Sequence, residues 1–231
     1  MRAIVHLSQS PVQVERERAD CIRQRKISAK FHYETDRQAE LWLKLHERYA
    51  SSEGMAQPYT EAARTLALTW PYSNGSLVAL GCGGCEKDIS ILNVLPKATT
   101  FIPTDVSKPL VLKTAQDVGA IYPSTVITPL VFDMATSDDL LEFIDKYAQI
   151  NRIYTFFGLI PNFSPKNILP RLRMLLRPED RLLLSANLAP NGMDSILPQY
   201  NNDATREWLS EFPKSHGAGE GKVKITIESE G

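Results

Sequence analysis

The sequence predicts an α/β fold with a Rossmann-like, mostly parallel, doubly wound sheet and N-terminal lid helices. Three observations carry this reading. From Leu77 onward, short apolar runs alternate with helical segments, the pattern of strands buried on both faces beneath crossover helices. The first run opens into a glycine-rich turn, Leu80-Gly81-Cys82-Gly83-Gly84-Cys85-Glu86-Lys87. Two of the runs that follow end in an acid, Asp105 and Asp133.

The segment before the sheet reads as a charged arm over residues 1–30, with a short apolar start at Ala3 to Leu7 that suits an edge strand. The run from Glu15 to Arg25 reads as a solvated helical face. From Asp36 to Tyr49, the residues Trp42, Leu45 and Tyr49 recur at i, i+3 and i+7 and give a helix one apolar stripe. Ser51, Ser52, Glu53 and Gly54 break it, and Thr60 is placed to cap a second helix from Glu61 to Leu68. Strands are expected at 76–80, 99–104, 125–132, 152–157 and 181–188, with helices at 86–95, 107–118, 137–149 and 164–176 between them. Ser107, Ser137 and Ser164 stand as N-caps, the last with Pro165 at the first helical position. Pro170 is expected to kink its helix. A helix near 203–211 and a β-like run at Val223, Ile225 and Ile227 complete the chain. An arm with lid helices at 1–75 and the sheet domain at 76–231 are expected, as a single compact unit.

Composition narrows the function. The 26 Lys and Arg balance 27 Asp and Glu, so no general pull toward nucleic acid or anionic lipid is encoded. The apolar stretches at 153–160 and 182–188 fall well short of the about 18 residues a membrane span requires. His6 and the charged run after it interrupt any export signal, and three cysteines form no disulfide framework. A cytoplasmic protein acting on a small molecule, as a monomer or weak homodimer, is the expectation.

The glycine turn points to a ligand, because glycine lets the backbone turn sharply and open α/β sheets bind at the carboxyl ends of their strands. A lone G-x-G also arises for steric reasons alone. Asp105, placed 24 residues after Gly81, can accept two hydrogen bonds from a ribose diol. Asp133, at the same edge of the sheet, suits the exocyclic amine of an adenine. No Gly-Lys-Ser/Thr follows the glycines, which excludes a P-loop. Glu86 at the helix start is a poor neighbour for a dinucleotide's pyrophosphate. A phosphate-free adenosine cofactor with an ammonium and a sulfonium, S-adenosyl-L-methionine, suits the loop better. A nicotinamide-dependent oxidoreductase and a non-catalytic binder of the same cofactor stand as alternatives.

The glycine loop, Ile102-Pro103-Thr104-Asp105-Val106-Ser107 and Phe156-Phe157-Gly158-Leu159-Ile160-Pro161-Asn162-Phe163-Ser164-Pro165 together resemble the histidine-specific methyltransferases, the L-histidine Nα-methyltransferase family of ergothioneine biosynthesis. Lys30-Phe31-His32-Tyr33 and Thr60-Glu61-Ala62 are similar to two further segments of that family. The resemblance implies a class I S-adenosylmethionine-dependent methyltransferase. It implies Gly81, Gly83, Lys87, Asp105 and Asp133 as cofactor ligands and Tyr33 and Asn162 as contacts of an amino-acid substrate. No catalytic residue and no metal are assigned. Pro161 stands where the family carries a glycine, and 231 residues leave little room for the family's second, substrate-recognising domain. Histidine is thus the family's default acceptor rather than a reading of these residues.

Cys82 and Cys85 form a Cys-x-x-Cys, but Cys21 and four scattered histidines supply no second ligand pair at zinc spacing. Small residues filling a tight turn are the favoured account, with the helix start expected to lower the pKa of Cys85. His6, His32, His46 and His216 read as structural, His32 being the one adjacent to a site residue. Trp70, Pro71 and Tyr72 are expected over a sheet edge or over the cofactor.

Overall fold

A computed structural model describes residues 1–50, 53–186, 192, 197–217 and 223–224. Their strands form one six-stranded sheet, β1 (Ile4–Val5), β2 (Asn74–Leu80), β3 (Ala98–Asp105), β4 (Leu130–Val131), β5 (Arg152–Phe157) and β6 (Arg181–Ser185), in the order β1-β4-β3-β2-β5-β6. Every neighbouring pair is parallel. The chain runs outward from β2 to β3 and β4, then returns to place β5 and β6 on the other side of β2. The crevice between those halves lies at the end of β2, where the glycine turn begins.

The alternation of β2 explains its double burial. Leu77 and Ala79 join Phe101 and Ile153 in one apolar cluster, whereas Val78 and Leu80 join Ile102, Tyr154 and Phe156 in the other. Helices cover both clusters: α4 (Glu86–Leu92), α5 (Lys108–Ile121), α6 (Leu140–Asp145) and α7 (Pro165–Leu175), with α1 (Pro11–Gln24), α2 (Asp36–Ala50) and α3 (Glu53–Thr69) before β2. After β6 come α8 (Leu197–Tyr200) and α9 (Asp203–Ser215). Among the described residues no helix is long and apolar enough to cross a membrane.

Several expectations hold locally. Ser107 caps α5 by accepting the Leu110 N–H at 3.3 Å, and Pro165 opens α7. β1 pairs with β4 as an edge strand. Others are corrected. The helical face expected from Glu15 to Arg25 is α1, which begins earlier than expected, capped by Ser10 with Pro11 at its start. α3 begins at Glu53, so Thr60 lies inside it rather than at its cap. β4 covers only part of 125–132, because Pro129 has no N–H to give the ladder; Ile127 makes an isolated bridge to Phe101. α6 starts after Asp139, and the Ser137 hydroxyl donates to the Asp133 carbonyl at 2.7 Å instead of capping a helix. Trp70 and Tyr72 pack edge to face near Gly75, at the opposite end of β2 from the glycine turn, and do not cover that turn. The expected run at Val223, Ile225 and Ile227, and the last residues of the strand expected at 181–188, lie outside the described residues except for Val223.

Candidate cofactor and acceptor site

The register places the site. Leu80 pairs with Thr104 and Ala79 with Thr155, so the glycine turn leaves β2 between Asp105 on one side and the end of β5 on the other. The turn is tied to its neighbours by the Cys82 N–H donating to the Thr104 carbonyl at 2.9 Å and by Thr114 Oγ donating to the Gly83 carbonyl at 2.8 Å. Gly81 and Gly83 have φ of +70° and +46°, a region where a side chain is strained. A Cβ at Gly81 would run into Leu159, and one at Gly83 would stand 2.8 Å from the Trp42 ring. Both glycines are therefore required by backbone shape and by close approach.

Asp105 ends β3 with its carboxylate turned to the loop. The Ser107 N–H donates to Oδ1 at 2.9 Å, and the Gly83 and Val106 amides also donate to the carboxylate. Burial outweighs these bonds and pushes its pKa up to about 6. Tyr33 lies against it. The Tyr33 carbonyl accepts the Ser107 hydroxyl at 2.5 Å, and burial, then the nearby Asp105 charge, raises the phenol pKa. Its ring sits between Trp42 and Trp208, with centroids at 5.8 and 5.2 Å.

Asp133 follows β4, two strands from the loop. Its Oδ1 accepts the Ala135 N–H at 2.9 Å and its Oδ2 the Lys30 ammonium at 3.2 Å. On the far side of the loop, Lys87 projects from α4 with its ammonium 5.1 Å from the centre of the Tyr59 ring and 3.8 Å from where a Cβ on Gly158 would stand. Asn162 is exposed in the 3-10 turn at Ile160–Asn162, on the same segment as Leu159. The fold thus gathers Gly81, Gly83, Lys87, Asp105 and Tyr33 about the end of β2. Asp133 lies at one flank and Asn162 at the other.

Sequence reasoning missed several neighbours. Trp42 and Leu159 cover the glycines, and Trp208 arrives from α9 with its indole N–H on the His32 carbonyl at 2.8 Å. Trp42 carried a signal, since it lies on the apolar stripe of α2; Trp208 carried none that ties it to Tyr33. Asp88, next to Lys87, is buried and accepts the Thr155 hydroxyl at 2.5 Å, and burial pushes its pKa up to about 7. His46 stacks on Trp42 at 4.9 Å, its pKa lowered by burial and then by Lys87; burial likewise lowers that of His32. Cys82 and Cys85 are both buried. Burial, with Glu86 and Asp88 nearby, pushes the Cys85 thiol up to about 12, the reverse of the lowering expected from the helix start; Cys82 is raised well above its usual value.

The donors and acceptors here fit an adenosine cofactor with an amino-acid arm. Asp105 is a half-buried acceptor fixed by amides, and Lys87 is a cation across the crevice from it. Comparison with known proteins agrees. In fold the chain is similar to the plantazolicin methyltransferase BamL, solved with a triazolic desmethylPZN analog and S-adenosylhomocysteine, at TM-score 0.53 and 16% identity over 86% of this chain and 67% of that one. A second plantazolicin methyltransferase, BpumL, gives TM-score 0.48 and 14% identity over 72% of this chain and 60% of that one. A proposed S-adenosyl-L-methionine-dependent methyltransferase from Methanococcus maripaludis gives 0.46 and 11% over 78% and 76%. No curated protein sequence matches significantly. The sequence profile described as histidine-specific methyltransferase, SAM-dependent, matches residues 23–212. With most of its length inside that match, the chain belongs to the histidine-specific, S-adenosylmethionine-dependent methyltransferase family.

Proposed function

We propose that this methyltransferase methylates a nitrogen of a small amino-acid-like molecule, with histidine as the family's own acceptor. The observation that carries the reading is Asp105, held by backbone amides at the end of β3 beside the glycine turn. In this reading Asp105 accepts from the ribose diol, Asp133 from the adenine amine, and Lys87 faces the carboxylate of the amino-acid arm, while Gly81 and Gly83 let that arm approach the main chain. S-adenosylmethionine, when bound, supplies an electrophilic methyl on a sulfonium.

The protein's contribution to such a displacement is mainly orientation and exclusion of water. Tyr33 and Asn162 hold the acceptor, and the aromatic wall of Tyr33, Trp42 and Trp208 keeps the site dry enough to favour charge dispersal in the transition state. An amine that arrives deprotonated needs no strong base. The reading also places the enzyme in the cytoplasm, as a monomer or weak homodimer that takes no nucleic acid.

Incubation with S-adenosylmethionine and a panel of amino acids, L-histidine first, with product masses read by mass spectrometry, tests the acceptor. A gain of one to three methyl groups on an amino-acid nitrogen is expected. Methylation confined to oxygen or carbon acceptors would overturn the proposal.

A further inference from the structure

Lys87 is a poorly constrained group in isolation, a compact charge on a flexible four-carbon stem. Three surrounding residues constrain it here. Tyr59, brought by α3 to the ends of β5 and β6, is 8% exposed. Its hydroxyl lies 3.0 Å from Ser185 Oγ at the end of β6. Ser185 is itself fixed, because the Gly158 N–H donates to its Oγ and to its carbonyl, each at 3.1 Å. The Tyr59 ring meets Phe157 edge to face at 4.9 Å. With its hydroxyl bonded and its ring packed on Phe157, Tyr59 lies beneath the Lys87 ammonium at 5.1 Å, a cation–π distance. Gly158, at φ +71°, lies beside that ammonium, which is 3.8 Å from where its Cβ would stand.

Among the described residues, no carboxylate lies within ion-pair distance of Lys87; Glu86 and Asp88 feel its charge only at longer range, and the Tyr59 ring lies beneath the ammonium. A cation held on a ring without a close ion pair among the described residues is available to an external anion. It stands on the β5 side of the crevice, whereas the acids that suit a nucleoside's donors, Asp105 and Asp133, stand on the β3 and β4 side. An adenosine cofactor held by those acids would have Lys87 on the opposite side of the glycine turn, where it could hold the carboxylate of the amino-acid arm.

We propose that Tyr59, anchored by Ser185, is a positioning residue that fixes the Lys87 ammonium for the carboxylate of the cofactor's amino-acid arm. The proposal rests on the reading of Lys87 as a cofactor ligand. No acceptor need be known to test it.

Calorimetry with two ligands separates the possibilities: S-adenosylhomocysteine, which has the carboxylate, and 5′-methylthioadenosine, which lacks the arm. Tyr59→Leu is expected to weaken S-adenosylhomocysteine by about 3- to 30-fold, the range of a cation–π contact, and to leave 5′-methylthioadenosine unchanged. In a Lys87→Met background, Tyr59→Leu is expected to add nothing. Tyr59→Phe, which keeps the ring, falls between wild type and Tyr59→Leu. If Tyr59→Leu does not fold, Ser185→Ala offers the same comparison, with loss confined to the ligand bearing the arm. Equal weakening of both ligands, full additivity with Lys87→Met, or no effect at all would overturn the positioning role while leaving Lys87 as a ligand. If Lys87→Met itself leaves S-adenosylhomocysteine binding intact, the underlying reading of Lys87 fails instead.

Discussion

Lys30 Nζ lies 3.2 Å from Asp133 Oδ2 and joins the segment ahead of α2 to the end of β4 across 103 positions of sequence. Both side chains are largely withdrawn from water, and Glu17 also pairs with Lys30. Removing one member of a buried pair leaves the other charge uncompensated, at a cost of about 3–5 kcal/mol. Lys30→Met is expected to lower the unfolding free energy in urea by about 3 kcal/mol, with part of the loss recovered by adding Asp133→Asn. An unchanged midpoint for Lys30→Met would show that the pair contributes nothing.

Asp105 ties cofactor affinity to pH. A diol donates to the ionised carboxylate, so a proton and the ribose compete for one group. With the pKa pushed up to about 6, S-adenosylhomocysteine affinity is expected to hold above that pH and to fall by up to about tenfold per unit below it. Asp105→Asn is expected to bind weakly at every pH, with that slope removed. Calorimetry at pH 5 and pH 7 decides; equal wild-type affinities would count against the assignment.

Asp88 makes stability, rather than binding, depend on pH. Its pKa is raised in the folded chain to about 7, so between the usual carboxylate range and 7 the folded state holds a proton that the unfolded state has lost. Stability from this group is therefore greatest in acid and falls as pH rises toward 7, by on the order of 4 kcal/mol in total. Asp88→Asn, which stays neutral and still offers an oxygen to Thr155, is expected to gain on wild type from pH 5 to about pH 7 and to hold that gain at pH 8. Parallel urea curves for the two proteins at both pH values would refute this.

At the opposite end of the sheet, Arg152 opens β5 and binds Asp180, just ahead of β6, through Nε to Oδ1 and Nη2 to Oδ2, each at 3.2 Å. Their side chains are 1% and 0% exposed, and Asp145 bridges Arg152 to Arg177. Asp180→Ala is expected to destabilise the fold by about 3–5 kcal/mol. Its S-adenosylhomocysteine affinity, measured where the variant is still folded, is expected to match wild type, because the network lies at the amino-terminal ends of the strands.

The parts of the molecule legible in sequence are those set by neighbours along the chain. β2, β3 and β5 announce themselves as apolar runs, Ser107 as a cap, the glycine turn by composition and Asp105 by its position at a strand end. The parts that were not legible depend on residues far away. The extent of β4 turns on a missing amide at Pro129, and the surroundings of Asp133 on Lys30. The Cys85 thiol sits at a helix start that favours the thiolate, yet burial and the adjacent acids dominate. Trp208 meets Tyr33 through tertiary packing alone, and no period or motif in α9 marks that contact.

The pairing of β1 with β4 also sets an order of events during synthesis. Ile4 meets Leu130, and Lys30 meets Asp133, only after the helices and strands between them have been made. Contacts of such long sequence separation form slowly, since loop closure precedes any gain from them. The segment that bears β1 and Lys30 therefore docks through contacts that local structure cannot supply, and the flank of the crevice that carries Asp133 depends on them for its completion.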